Sequence, residues 1–120
     1  VRTMGWPQGA VAQVRQGLHD VAALGTGRRV QVRGLDVAAK TGTAEYDAGG
    51  VRRKNTWVTA FAPFGQPAAA VAIVVENGES GGLTVAPMVR DVLVAMFGEP
   101  EPAPDEKPPL PVENAESRGD

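Results

Sequence analysis

Lys40-Thr41-Gly42-Thr43 sets one cation and two hydroxyls around a glycine, in the stretch VAAKTGTAEY. An apolar run precedes it and a charged, glycine-rich run follows. On a strand, Thr41, Thr43 and Glu45 project to one face, and Lys40, Gly42 and Ala44 to the other. Two hydroxyls two residues apart can both meet one carboxylate. Lys40 can reach round on its long stem and supply the charge. Gly42 carries no side chain, so a substrate or a second backbone can come close. An edge strand also offers free N–H groups, for an oxyanion or for an extended peptide. This chemistry fits recognition of a peptide carboxylate beside an acyl-transfer centre. A surface strand end that happens to read Lys-Thr-Gly-Thr is the plain alternative.

A different class shares these residues. Gly34 to Thr41 nearly matches the phosphate-binding loop G-x-x-x-x-G-K-[ST]. Ala39 stands where that loop needs glycine, and Gly42 and β-branched Thr43 follow where it needs a helix. Its interior, Leu35, Val37 and Ala38, is too apolar for a phosphate cradle. Nucleotide binding is therefore disfavoured, and no cofactor is expected.

Composition excludes more. The chain has 120 residues, 42% hydrophobic and 22% charged, which suits one soluble domain at most. It has no cysteine, so disulfides and thiolate metal ligands are out. No metal-ligand cluster is expected, and no basic, aromatic stripe suggests nucleic acid. The apolar run Ala68 to Val75 is too short to span a bilayer, which takes about 20 residues. The start shows no signal peptide and is not Met, so the chain reads as a piece of a longer one. Net charge is −2 but uneven. Residues 99–120 hold seven acids, two bases and six of the ten prolines. That segment reads as a disordered or polyproline-type tail, a Pro-rich recognition ligand being the alternative. The division is thus 1–98 folded and 99–120 tail.

The elements that must position Lys40 to Thr43 follow from periodicity. Val11, Val14, Leu18 and Val21 predict a helix over 8–24, with Gly25 as a left-handed cap. His19 sits at the edge of that stripe and reads as a boundary residue. Val37 to Glu45, Thr56 to Ala62 and Ala69 to Glu76 predict three strands, the last buried on both faces. Asp47 to Lys54 reads as a mobile charged hairpin loop, and Pro63 to Pro67 as a tight reversal. Val30 to Val32 is a candidate minor strand. A last helix is expected from Thr84 as N-cap, with Pro87 in its first turn. Its stripe is Met88, Val89, Val92, Leu93, Met96 and Phe97, the methionines being core, and Gly98 ends it. The expected fold is α+β: an antiparallel three-stranded meander flanked by an N-terminal and a C-terminal helix, each covering a sheet face.

These pieces resemble the carboxy-terminal part of a penicillin-binding protein, a serine D,D-transpeptidase of cell-wall synthesis. The third motif of that family, K-T-G, is read with S-x-x-K and S-x-N. Here it stands as AAKTGTAE, similar to the class B enzymes. NTWVTAFAP, AAAVAIVVENGESGG and TVAPMVRDVLVAMFG resemble the following strands and final helix, and VRQGLHDVAALGTGRRV the preceding helix and turn. The ordered set covers about residues 8–98. The family usually has Gly at Ala39 and an aromatic at Val58. Ser80 and Ser117 are the only serines, and neither makes S-x-x-K or S-x-N.

The resemblance implies roles. Lys40 would sit near the second-motif serine and supply positive potential. Thr41 and Thr43 hydroxyls would bind the terminal carboxylate of a peptidoglycan stem peptide or of a β-lactam. The Thr43 N–H would form half an oxyanion hole. Gly42 would keep the floor open, and Trp57 would wall the neighbouring strand, a plain core tryptophan being the alternative. The nucleophile would come from the upstream part of the same domain, so this chain alone would be inactive. The parent would be anchored by an absent N-terminal helix and face the outside of the bacterial membrane. A serine β-lactamase or β-lactam sensor, and a non-catalytic edge-strand peptide-binding module, are the alternatives.

Overall fold

The hairpin at Gly49-Gly50 organises the sheet. In the computed structural model, which describes residues 2–101, strand β1 (Ala38–Ala48) pairs antiparallel with β2 (Val51–Ala62), and β2 with β3 (Ala69–Glu76). The order is β1-β2-β3. Helix α1 (Gln8–Ala23) precedes the sheet and helix α2 (Ala86–Phe97) follows it. The meander with two flanking helices is the α+β arrangement expected from the sequence.

Asp47 to Lys54 is not a mobile loop. Both strands run to a two-residue turn in which Gly49 and Gly50 have φ of 60° and 79°. Only glycine takes two such angles in succession at little cost, and this turn matches the twist of the strands it joins. Glu45 and Arg52 form an exposed ion pair at 3.1 Å across the extended ladder. The charges read as a loop tip therefore lie on strands.

The core lies on one side of the sheet. Ala39, Val58, Ala60 and Ala62 present that side, and Val85, Ala86, Val89 and Leu93 of α2 and the turn before it pack on them, all buried. Ala22 of α1, Val30, Val32 and Val37 close the cluster. Each fully buried Val or Leu contributes about 1.5–3 kcal/mol. The opposite side is largely bare. β3 alternates half-buried and exposed residues rather than being buried on both faces, with Ala70, Ala72 and Val74 exposed. A shallow depression of about 280 Å³ lies there, lined by Lys40, Thr59, Phe61 and Ala72 among others.

The helix stripes expected to be buried are not, because the small sheet covers only one narrow stripe of each helix. Val14 of α1 is 64% exposed, and Ala22 is the buried residue. On α2, Met88, Val92, Met96 and Phe97 are exposed, so the methionines are not core. Gly25 does not take a left-handed φ; its N–H and that of Gly27 instead bond the carbonyl of Val21. Val30 ends a 3-10 turn (Arg28–Val30), and Val32 makes an isolated bridge to Leu35, so no minor strand forms. Ser80, not Thr84, caps the last helical segment, which opens with a π turn (Gly81–Val85). Gly34 to Thr41 runs into a strand, so the phosphate-loop reading has no helix to open. His19 is a boundary residue, its ring tilted against that of Phe64 with centroids 4.7 Å apart.

Residues 102–120 of the expected tail lie outside the described residues. Glu99 and Pro100 dock on the fold: Glu99 accepts from the Arg33 N–H at 3.0 Å and from the Arg90 guanidinium at 2.5 Å. Arg90 also donates to the carbonyl of Gln31. The Arg33 N–H first, and then Arg90, hold the Glu99 carboxyl below its ordinary value of 4.5. A depressed carboxyl stabilises the fold above its ordinary value, and that contribution disappears as pH falls through the folded-state value. Thermal melts of wild type and Glu99→Gln should therefore differ most near neutral pH and converge in acid below 4.5. A constant difference across that range would show that the charge is not what stabilises the contact.

Candidate functional site

Backbone direction along β1 follows from the turn. A two-residue hairpin makes its flanking residues, Ala48 and Val51, a hydrogen-bonded pair. The register then continues without a bulge to Ala38↔Phe61. Pairs alternate, so Lys40↔Thr59 and Gly42↔Trp57 are hydrogen-bonded, while Thr41↔Val58 and Thr43↔Thr56 are not. The N–H and C=O groups of Thr41 and Thr43 consequently point away from β2, to the edge of β1 that no described strand covers. Lys40 marks the same edge: its ammonium donates to the carbonyl of Thr41 at 2.5 Å.

The side chains gather at this lip from both faces. Lys40 is exposed, and among the described residues no carboxylate pairs with it. Thr43 is exposed. Thr41 is half-buried, and its hydroxyl lies 2.8 Å from that of Thr26. A cation, two hydroxyls and an outward amide thus share one strand edge. That arrangement can bind an anion and polarise a carbonyl oxygen beside it.

Gly42 is used from both sides. The half-buried Trp57 lays its indole over it, in the space a Cβ would occupy. On the other face Gly81 approaches so closely that its own Cβ would lie 2.6 Å from the Trp57 carbonyl and 3.1 Å from that of Gly42. The close approach at Gly42 is therefore made by this chain's own indole and loop. Trp57 supports the strand floor from beneath, opposite Gly42 and beside Val74. The structure brings Lys40, Thr41, Gly42, Thr43 and Trp57 together. The contact that sequence reading missed is Thr26, in the Gly25-Thr26-Gly27 turn. Nothing in a spacing of 15 residues points from it to Thr41.

Residues 6–94 match the sequence profile of the penicillin binding protein transpeptidase domain. The chain belongs to that family. It is 34% identical over 99 residues to the peptidoglycan D,D-transpeptidase MrdA of Salmonella typhimurium, covering 70% of this chain and 16% of MrdA. It is 42% identical over 79 residues to the peptidoglycan D,D-transpeptidase PbpA of Mycobacterium tuberculosis, covering 58% of this chain and 16% of PbpA. Among solved structures it is similar to Pseudomonas aeruginosa PBP2 in complex with WCK 5153, with TM-score 0.64 and 32% identity over 78% of this chain and 20% of that one. The chain spans about a sixth of the length of these curated relatives. The matched residues include β1 and the elements that hold it. Among the described residues no group of His, Cys, Asp or Glu could hold a metal ion. No described helix is long and apolar enough to cross a membrane.

The packing at Gly42 yields a coupled pair. Gly42→Ala should displace the indole and destabilise the fold by about 1–3 kcal/mol. Trp57→Leu, made alone, removes buried ring area; combined with Gly42→Ala it should cost less than the two separate losses. Denaturant melts of the full-length protein measure both. Simple additivity would mean that the two residues do not meet.

Proposed function

We propose that this chain is the carboxy-terminal portion of a serine D,D-transpeptidase domain and supplies the substrate-carboxylate side of its active site. The reaction would be acyl transfer between peptidoglycan stem peptides. A serine oxygen contributed upstream attacks the carbonyl of the penultimate D-alanine. The C–N bond breaks, D-alanine leaves with the proton on its amine, and an acyl-serine ester forms. A neighbouring stem-peptide amine then takes the acyl group and frees the serine. A β-lactam acylates the same serine by opening its ring.

In this reading the Thr43 N–H donates to the developing oxyanion, and its hydroxyl, with that of Thr41, binds the terminal carboxylate. Lys40 supplies positive potential and stands near the second-motif serine. Trp57 and Gly42 form the floor. The observation that carries the reading is the shared lip: an outward Thr43 amide beside the Lys40 ammonium and two threonine hydroxyls. Support for an upstream complement comes from the bare sheet face. It exposes Val74 and the depression beside Lys40, and S-x-x-K and S-x-N are missing from the chain. The parent would act on the outer side of the cell membrane, held there by an N-terminal helix.

Labelling with a fluorescent penicillin tests this directly. The full-length protein should form one covalent adduct, and peptide mapping should place it on a serine upstream of this chain. The isolated 120-residue chain should take no label. An adduct on Ser80 or Ser117, or none on a folded full-length protein, would refute the assignment.

A further inference from the structure

Thr26 lies on a turn that nothing above uses for function, yet its hydroxyl is 2.8 Å from that of Thr41. The turn is held tightly. Gly25 and Gly27 both donate to Val21, Arg28 donates to Gly25, and Val30 to Gly27. Gly82 packs so closely on the Thr26 carbonyl that a Cβ there would overlap it. α1, the 3-10 turn and the loop before α2 therefore all fix where this exposed hydroxyl sits. A threonine hydroxyl holds one proton and accepts two hydrogen bonds. For Thr41 to donate its proton outward to an anion, the Thr26 contact must run the other way, with Thr26 as donor. Hydrogen bonds chained in this sense polarise one another and strengthen the terminal one.

We propose that Thr26 is a positioning residue for carboxylate recognition: it donates to Thr41 Oγ1 and so fixes the Thr41 proton toward the substrate carboxylate. This rests on the transpeptidase reading above. Its selectivity is defined, since a ligand with an ionised carboxylate at that subsite gains most from the relay. A ligand whose carboxylate is capped as an amide or methyl ester gains less, because its carbonyl accepts only a neutral hydrogen bond.

The test uses the full-length protein with Thr26→Val and Thr26→Ser, and a penicillin compared with its methyl ester. Thr26→Val should slow acylation by the free carboxylate form about tenfold, the scale of one hydrogen bond to a charged group. The ester should change less than twofold, and Thr26→Ser should restore the carboxylate rate. Thr26→Ala, which removes the hydroxyl without adding a methyl, repeats the readout if Val is poorly accommodated. Equal slowing of both ligands would overturn the proposal, because it would mean Thr26 only holds the strand. So would an unchanged carboxylate rate, or failure of serine to rescue. Wild type that never acylates would sink the transpeptidase reading itself, whereas normal acylation without carboxylate selectivity sinks only the role of Thr26.

Discussion

The register of β1 against β2 is the constraint on which the site depends. Gly49 and Gly50 close the hairpin in two residues, and an unbroken ladder runs from there to Ala38↔Phe61. Within that ladder a one-residue slip would do two kinds of damage. It would exchange the faces of the sheet, sending Ala39 out of the core and Lys40 into it. It would also turn the Thr43 amide inward to β2 and present Gly42's instead. The burial of Val58, Ala60 and Ala62 opposite Ala39 opposes such a slip from one end, and the glycine turn opposes it from the other. The chemistry at the lip is thus set by a turn six residues away and by a core that no ligand touches.

The second dependency runs through the sheet at Gly42. Trp57 fills its outer side and Gly81 approaches from the inner one, so the strand is clamped between an indole and a loop. That loop is continuous with the cap of α2. Ser80 accepts from the Leu83 N–H, and Thr84 accepts from Glu79 and Ser80. The helix that buries Val89 and Leu93 therefore also fixes the backbone at Gly42. Loss of packing at α2 is expected to be felt at Thr41 and Thr43 through two glycines rather than through direct contact.

Much of this was legible in the sequence. The alternation in TWVTAFA set the faces of its strand, because period-two patterning is a local property, whereas the β-branched run AVAIVV gave a strand but not its exposed face. Lys40, Thr41 and Thr43 could be put forward as a group because they sit within four residues. What escaped was what depends on partners far along the chain. Gly-Gly looked like flexibility, yet its φ angles end a long rigid ribbon. Met88, Val92 and Met96 looked like core by spacing, but a stripe is buried only if something wide enough faces it. The Thr26–Thr41 contact links residues that belong to different elements, and only the folded turn after α1 brings them together. Trp57 was placed on the right strand, but not under Gly42, since that requires the register.

On the proposed reading, the outcome is a division of labour within an active site. Groups that recognise an anion and polarise a carbonyl need fixed direction more than they need reactivity, and a hairpin edge provides it: successive outward amides are held by the ladder on their other side. A nucleophile needs a perturbed proton affinity, which a two-layer fragment with one bare face cannot create, because desolvation requires a covering layer. Lys40 illustrates the difference. It stands exposed and donates to its neighbour's carbonyl. If, as proposed, the layer that covers the bare side also brings in the serine, it would remove the water that screens this charge and make both halves of the site effective in one step.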